Sequence, residues 1–162
     1  MEHHEIAQYL SKNSAFAGIS KSQQDALADI AVASQTKESG FLVLEKEKSI
    51  HLFLIVEGSA SVEIALPGSS AMESVAKLKA GDIFGEFGLL GVDRRSASVR
   101  ALSDVTCLQI PHEAILDLCQ KDCELGYRLM TNLARTLADR LITTTRDFGN
   151  AMYQMVFTGK ND

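Results

Sequence analysis

The spacing of apolar residues changes twice along this chain, and each change marks a boundary between kinds of structure. Ile6, Tyr9 and Leu10 recur at helical spacing, and Ser20 with Gln23 three residues on forms a capping box ahead of Leu27, Ile30 and Ala31. Residues 1–37 therefore read as helical. Between residues 36 and 110 the period falls to two. Ala60, Val62, Ile64 and Leu66 alternate with Ser61, Glu63 and Ala65, after which Pro67-Gly68-Ser69-Ser70 supplies a turn. Shorter apolar runs at 41–44, 52–56, 83–84, 97–102 and 105–110 predict many short strands with regular breaks, the pattern of an antiparallel roll or sandwich. Pro111 suits the start of a helix, in which Ile115, Leu118 and Cys119 trace an apolar stripe. Lys121-Asp122 breaks that stripe before a long helix over about 124–147. There Leu125, Leu129, Met130, Leu133, Leu137, Leu141 and Ile142 make a wide apolar face.

The expected fold is thus mostly β with flanking helices: an antiparallel β-roll or jelly roll of two sheets, helices before it and a long helix after it. One domain is expected over 1–162, divided into a helical segment 1–37, a roll 38–111, and C-terminal helices and tail 112–162. Met152, Tyr153, Met155, Val156 and Phe157 read as an apolar tail that folds over a pocket, docks on a neighbour or frays.

Composition narrows the function classes. With 46% hydrophobic and 23% charged residues in 162, the chain is globular, and its net charge of −5 disfavours a sequence-independent grip on DNA or on an anionic membrane. The N-terminus lacks the basic-then-apolar design of a signal peptide and no apolar run is long enough to span a bilayer, so a cytoplasmic location is expected. Cys107, Cys119 and Cys123 form no metal-type cluster and read as reduced thiols packed in the core.

The candidate chemistry lies in Phe84-Gly85-Glu86-Phe87-Gly88-Leu89-Leu90 and the Arg95-Ser96-Ala97 that follows. Gly85 permits a sharp turn, and the residues after it suffice for about one helical turn whose first amides are unpaired and favour an anion. Arg95 brings a guanidinium able to hold two phosphate oxygens, with the Ser96 hydroxyl beside it. Glu86 repels phosphate but suits the hydroxyls of a ribose, so together these residues suggest a nucleotide. On spacing alone a second reading stands beside it, in which Glu86 and Arg95 pair with each other inside an empty roll.

The stretch 84–99 resembles the phosphate-binding cassette of the cyclic-nucleotide-binding domain family: Phe-Gly-Glu, a few small or apolar residues, a short loop, then Arg, a small residue and Ala. Gly40, Gly58 and Gly81, with the strands beside them, fall where that family's roll has its glycines, so the resemblance covers nearly the whole chain. The run Glu45-Lys46-Glu47-Lys48-Ser49 departs from the Gly-Asp turn of many relatives. The resemblance implies that Glu86 takes the ribose 2′-hydroxyl and that Arg95 takes the cyclic phosphate, with Gly85 and the amide of Phe87 completing the cradle and Ser96 and Ala97 beside it. It further implies cyclic AMP as the ligand, with cyclic GMP open because Ser96 fits either. No cofactor, metal or catalytic role is expected.

In the catabolite-activator branch of that family the long helix pairs with a second copy and reaches the purine. This predicts a homodimer through the C-terminal helix, with base contacts near Arg140, Leu141 and Thr144, the last flanked by Thr143 and Thr145. The residues after Arg146 leave no room for a helix-turn-helix reader, so a stand-alone bacterial sensing module without DNA binding is expected, acting on an unidentified downstream protein. Two other classes stand beside this one. One is a roll without ligand that serves as a dimerisation or interaction module. The other is a cupin-like metalloenzyme, against which His3, His4, His51 and His112 stand because no two lie one residue apart on a strand. The cysteines offer no set for a haem or iron–sulfur centre.

Overall fold

A computed structural model describes residues 1–66, 68 and 71–157. Helices α1 (His3–Lys12) and α2 (Lys21–Ile30) precede eight strands: β1 (Val32–Thr36), β2 (Phe41–Val43), β3 (His51–Glu57), β4 (Ser59–Ala65), β5 (Met72–Lys79), β6 (Ile83–Phe84), β7 (Ser98–Ala101) and β8 (Val105–Pro111). Helices α3 (His112–Lys121) and α4 (Cys123–Phe157) follow. The strands form two four-stranded antiparallel sheets, ordered β1-β8-β3-β6 and β2-β7-β4-β5. This is the expected double-sheet roll with flanking helices.

The reason for the layering is legible in β3. Leu52 and Leu54 face one way, into a core shared with Leu10, Phe16 and Leu27 of the N-terminal segment and Ile115, Leu125, Leu129 and Leu133 of the last two helices. Phe53 and Ile55 face the other way, into the space between the sheets with Ala60, Phe84, Val99 and Val105. A strand covered on both faces must be apolar at every position, and β3 is buried from Leu52 to Ile55. The helices start where polar caps allow. Ser20 accepts from the amide of Gln23 while Gln23 returns a bond to the amide of Ser20, so the expected capping box closes. Asp122 separates α3 from α4 and caps the latter by accepting from the amide of Leu125 at 3.0 Å.

Three expectations are corrected and one strand is added. Residues 32–36 are not helical; they pair with β8 as an edge strand, because the chain leaves α2 at Ala31 in an extended conformation. Residues 72–79 form a second edge strand, β5, along β4, in which only Leu78 is buried. The long helix does not stop near 147 but runs to Phe157, since Gly149 alone does not break it, and Met152 to Phe157 form an exposed continuation of α4 rather than a fold over the roll. Of the cysteines only Cys107 is buried; Cys119 is half-buried and Cys123 opens α4 in the exposed state. The turn expected at 67–70 lies, apart from Gly68, outside the described residues. No helix among the described residues is long and apolar enough to cross a membrane.

Candidate functional site

β6 delivers the chain to Gly85, which stands in the left-handed region at φ 81°, and a short 3-10 turn follows over Glu86–Leu90. Glycine is required there for space as well as for φ. A Cβ at Gly85 would collide with Nη1 of Arg95 and stand 2.6 Å from the carbonyl oxygen of His51. Arg95 returns to the same place because the loop before β3 holds its backbone: its amide donates to the Glu47 carbonyl at 2.8 Å and its carbonyl accepts from the amide of Lys46 at 2.9 Å. The loop that departs from the family's Gly-Asp turn is therefore a clamp on Arg95, with Lys46 itself left-handed at φ 68°.

Arg95 is buried, at 8% exposed. Its Nη2 donates to the His51 carbonyl at 3.1 Å, and its guanidinium lies 5.2 Å from the centroid of Phe53, whose ring stacks on Phe84 at 4.5 Å. Nη1 is buried and has no hydrogen-bond partner. Burial lowers the Arg95 pKa from the ordinary guanidinium value, while the charges of Glu47 and Glu86 act in the opposite direction. No carboxylate lies within ion-pair distance of it among the described residues.

Glu86 is buried and points elsewhere. Its Oε1 accepts from Nη1 of Arg140 on α4 at 2.6 Å, and Nη2 of the same arginine donates to the carbonyl of Ile83. The reading in which Glu86 and Arg95 neutralise each other in an empty roll is thus corrected: the partner of Glu86 is Arg140, 54 residues along the chain. Arg140, expected near a purine, reaches the cassette through this pair. Leu141 beside it and Thr144 one turn further along α4 are exposed. Phe87 is exposed, Ser96 is exposed and Ala97 half-buried, while Leu89 anchors the turn in the helix-side core. A crevice of about 220 Å³ between Asn13, Gly81, Asp82 and Asp139 reaches Arg140.

Three contributors escaped the sequence reading. His51 and Phe53 alternate with Leu52 on β3, and that period of two was the available signal that they face the cassette side. His112, the first residue of α3, is buried; its Nδ1 lies 3.0 Å from the Ser49 carbonyl and its ring packs on Gly88, where a Cβ would come 2.7 Å from that same carbonyl. Among the described residues no group of three or more His, Cys, Asp or Glu is placed to hold a metal ion.

The family model for the cyclic nucleotide-binding domain matches residues 35–122. The chain is 34% identical over 106 residues to the cAMP-activated global transcriptional regulator Vfr of Pseudomonas aeruginosa, an alignment covering 63% of this chain and 47% of Vfr. It is 28% identical over 127 residues to the cGMP-dependent protein kinase egl-4 of Caenorhabditis briggsae, covering 74% of this chain and 17% of the kinase. The chain therefore spans less than half the length of these curated relatives. Among solved structures, a cyclic nucleotide-binding domain from Methylobacillus flagellatus superposes with a TM-score of 0.78 at 23% identity, covering 90% of this chain and 81% of that one. The Thermus thermophilus catabolite activator protein gives 0.73 at 22%, covering 88% and 64%. These two establish the shared fold. The match over more than half its length shows that this chain belongs to the cyclic nucleotide-binding domain family.

Proposed function

We propose that this chain binds a cyclic nucleoside monophosphate, cyclic AMP in preference to cyclic GMP, as a ligand-sensing regulatory module. The observation that carries the reading is the Arg95 guanidinium: a buried cation with one unpartnered donor, Nη1, held against a left-handed glycine. A buried donor without an acceptor is costly, and a phosphate oxygen would satisfy it with a charge-assisted bond. In this reading the amides of Gly85 to Phe87 complete the phosphate cradle, with Ser96 and Ala97 at its side. Glu86 would accept the ribose 2′-hydroxyl, as the family resemblance implies.

Glu86 is already engaged by Arg140, so a ribose that takes the carboxylate also touches the attachment of α4. Signal would then pass from ribose to α4 without any bond being made or broken, and no catalytic role is assigned. The similarity to a cAMP-activated regulator at the higher identity supports cyclic AMP. For the far end of α4 we propose a homodimer. Leu141, Phe148 and Met155 are exposed and recur every seven residues, the spacing of a coiled-coil seam.

The test is calorimetric titration of the purified chain with cyclic AMP and cyclic GMP, alongside Arg95→Ala. Removing the buried partner of a phosphate should weaken binding by roughly 2–5 kcal/mol. An Arg95→Ala protein with unchanged affinity would sink the assignment of the phosphate. Failure of both nucleotides to bind would favour the second reading, a ligand-free interaction module. That reading has its own support in the Glu86–Arg140 pair, which satisfies the carboxylate with no ligand present.

A further inference from the structure

His112 is a buried imidazole with half of its hydrogen-bonding capacity unused. It follows Pro111 at the end of β8, and as the first residue of α3 its ring lies beneath the cassette turn, 6% exposed. Nδ1–H donates to the Ser49 carbonyl at 3.0 Å, which assigns the lone pair to Nε2, and Nε2 is buried without a partner. Gly88 of the cassette packs directly on the ring, and a Cβ there would stand 2.5 Å from Nδ1. The backbone of Gly85, at the head of the same turn, is the other polar group bearing on the imidazole.

The charged and titratable groups that face His112 are Arg95 from the cassette and His51 from β3, and neither supplies negative charge. Glu47 and Glu86 act on Arg95 instead. Burial, the largest effect, and these two neighbours all lower the pKa of the ring, against which the Ser49 and Gly85 carbonyls work. In the empty cassette the ring is therefore neutral at pH 7. What the neighbourhood lacks is an anion.

We propose that His112 takes up a proton when an anionic ligand fills the cassette, so that nucleotide binding by this chain strengthens as pH falls. The inference rests on the reading of Arg95 as the phosphate holder. A phosphate there offsets the positive charge of Arg95 that opposes protonation. A protonated ring has two donors, one for Ser49 and one to turn toward the Gly85 carbonyl, so the unpartnered Nε2 gains a use. The cyclic phosphodiester keeps its single negative charge throughout this range, and the proton passes from solvent to the protein.

The sign follows from linkage. The bound state holds more protons than the free state between the two ring pKa values, so affinity rises with falling pH by at most about tenfold per pH unit in that window and is flat above it. His51, whose pKa is also lowered by burial first and by Arg95 second, is the rival site.

Calorimetry of the full chain with cyclic AMP in two buffers of different ionisation enthalpy, at about pH 6 and about pH 8, measures the uptake directly. The expected result is net proton uptake at the lower pH that vanishes at the higher one, is lost in His112→Gln and persists in His51→Gln. Binding without uptake, or uptake that survives in His112→Gln, overturns the proposal while leaving the phosphate site intact. Absence of binding at either pH removes the site reading and this inference with it. Should His112→Gln fail to fold, the ring pKa of His112 in the unaltered chain is read by NMR, its signal identified through contacts with Gly88. An upward shift on adding cyclic AMP supports the proposal, and no shift overturns it.

Discussion

The contact most open to a quantitative test is the one between Glu86 and Arg140. The carboxylate side chain is 4% exposed and the guanidinium side chain 38%, so the pair is neither fully buried nor a surface pair. Two unit charges about 4 Å apart interact by about 4 kcal/mol at an effective dielectric constant near 20, from which the desolvation of Glu86 must be subtracted. Removing one partner of a fully buried pair costs about 3–5 kcal/mol and of an exposed pair at most about 1. Arg140→Met, which keeps the apolar stem and deletes the charge, should therefore cost about 2 kcal/mol, including the bond lost by the Ile83 carbonyl. For a domain of this size that lowers Tm by roughly 4–8 °C. Glu86→Gln removes the charge from the other side. In urea denaturation at fixed protein concentration, the double variant should be more stable than the two single losses predict, with a coupling energy of about 1–3 kcal/mol. Additive losses, or an Arg140→Met cost below about 0.5 kcal/mol, would show that the pair does not hold α4 to the cassette.

Three further outcomes are expected. Gly88→Ala should destabilise the fold by about 1–3 kcal/mol, because the new methyl meets the immovable Ser49 carbonyl at 2.7 Å as well as the His112 ring; an unchanged denaturation midpoint would contradict that packing. The unliganded chain should lose stability as pH falls below about 6.5, since His112 and His51 both have lowered pKa values and the unfolded chain takes up protons first; the slope of unfolding free energy against pH between about 5 and 8 measures it, and a flat profile refutes it. Phe148→Glu, at an exposed position of α4, should convert a dimer to monomer in analytical ultracentrifugation without altering the circular dichroism of the fold, and an unchanged sedimentation coefficient would place the dimer contact elsewhere.

Which parts of this architecture were readable in the sequence depended on what each residue had to do locally. The capping box at Ser20, the doubly apolar run of β3 and the order Gly85, Glu86, Arg95 declare themselves because each is a short-range requirement. β1 and β5 were missed because both are edge strands, at opposite ends of different sheets. Ser34 and Gln35 or Glu73 and Lys77 carry no buried alternation, and these segments are strands only because β8 and β4 offer them a partner. The extension of α4 to Phe157 was missed for a different reason: exposed apolar residues at the end of a helix read equally well as a tail. The site was legible at its centre and opaque at its edges. Nothing in the spacing of Glu86 and Arg140 says that they meet, and the burial of His112 depends on Ser49 and Gly88 arriving from two other loops.

The position of Arg140 also fixes how a ligand could move α4 without dislodging it. The first three turns of that helix are anchored by Leu125, Leu129 and Leu133, all buried in the helix-side core. At about 1.5–3 kcal/mol for each buried leucine, that anchor is worth several times the pair with Glu86, so a ligand that competes for the carboxylate releases the weaker attachment and leaves the stronger one in place. Arg140 lies two turns beyond Leu133, and the exposed seam of Leu141, Phe148 and Met155 begins at the very next residue. A helix of 35 residues is about 52 Å long, so a small change of angle at Arg140 displaces its far end by much more. If Glu86 takes a ribose as proposed, occupancy of that site and the course of an exposed apolar helix would be coupled through one arginine, as a sensor whose output lies outside its roll requires.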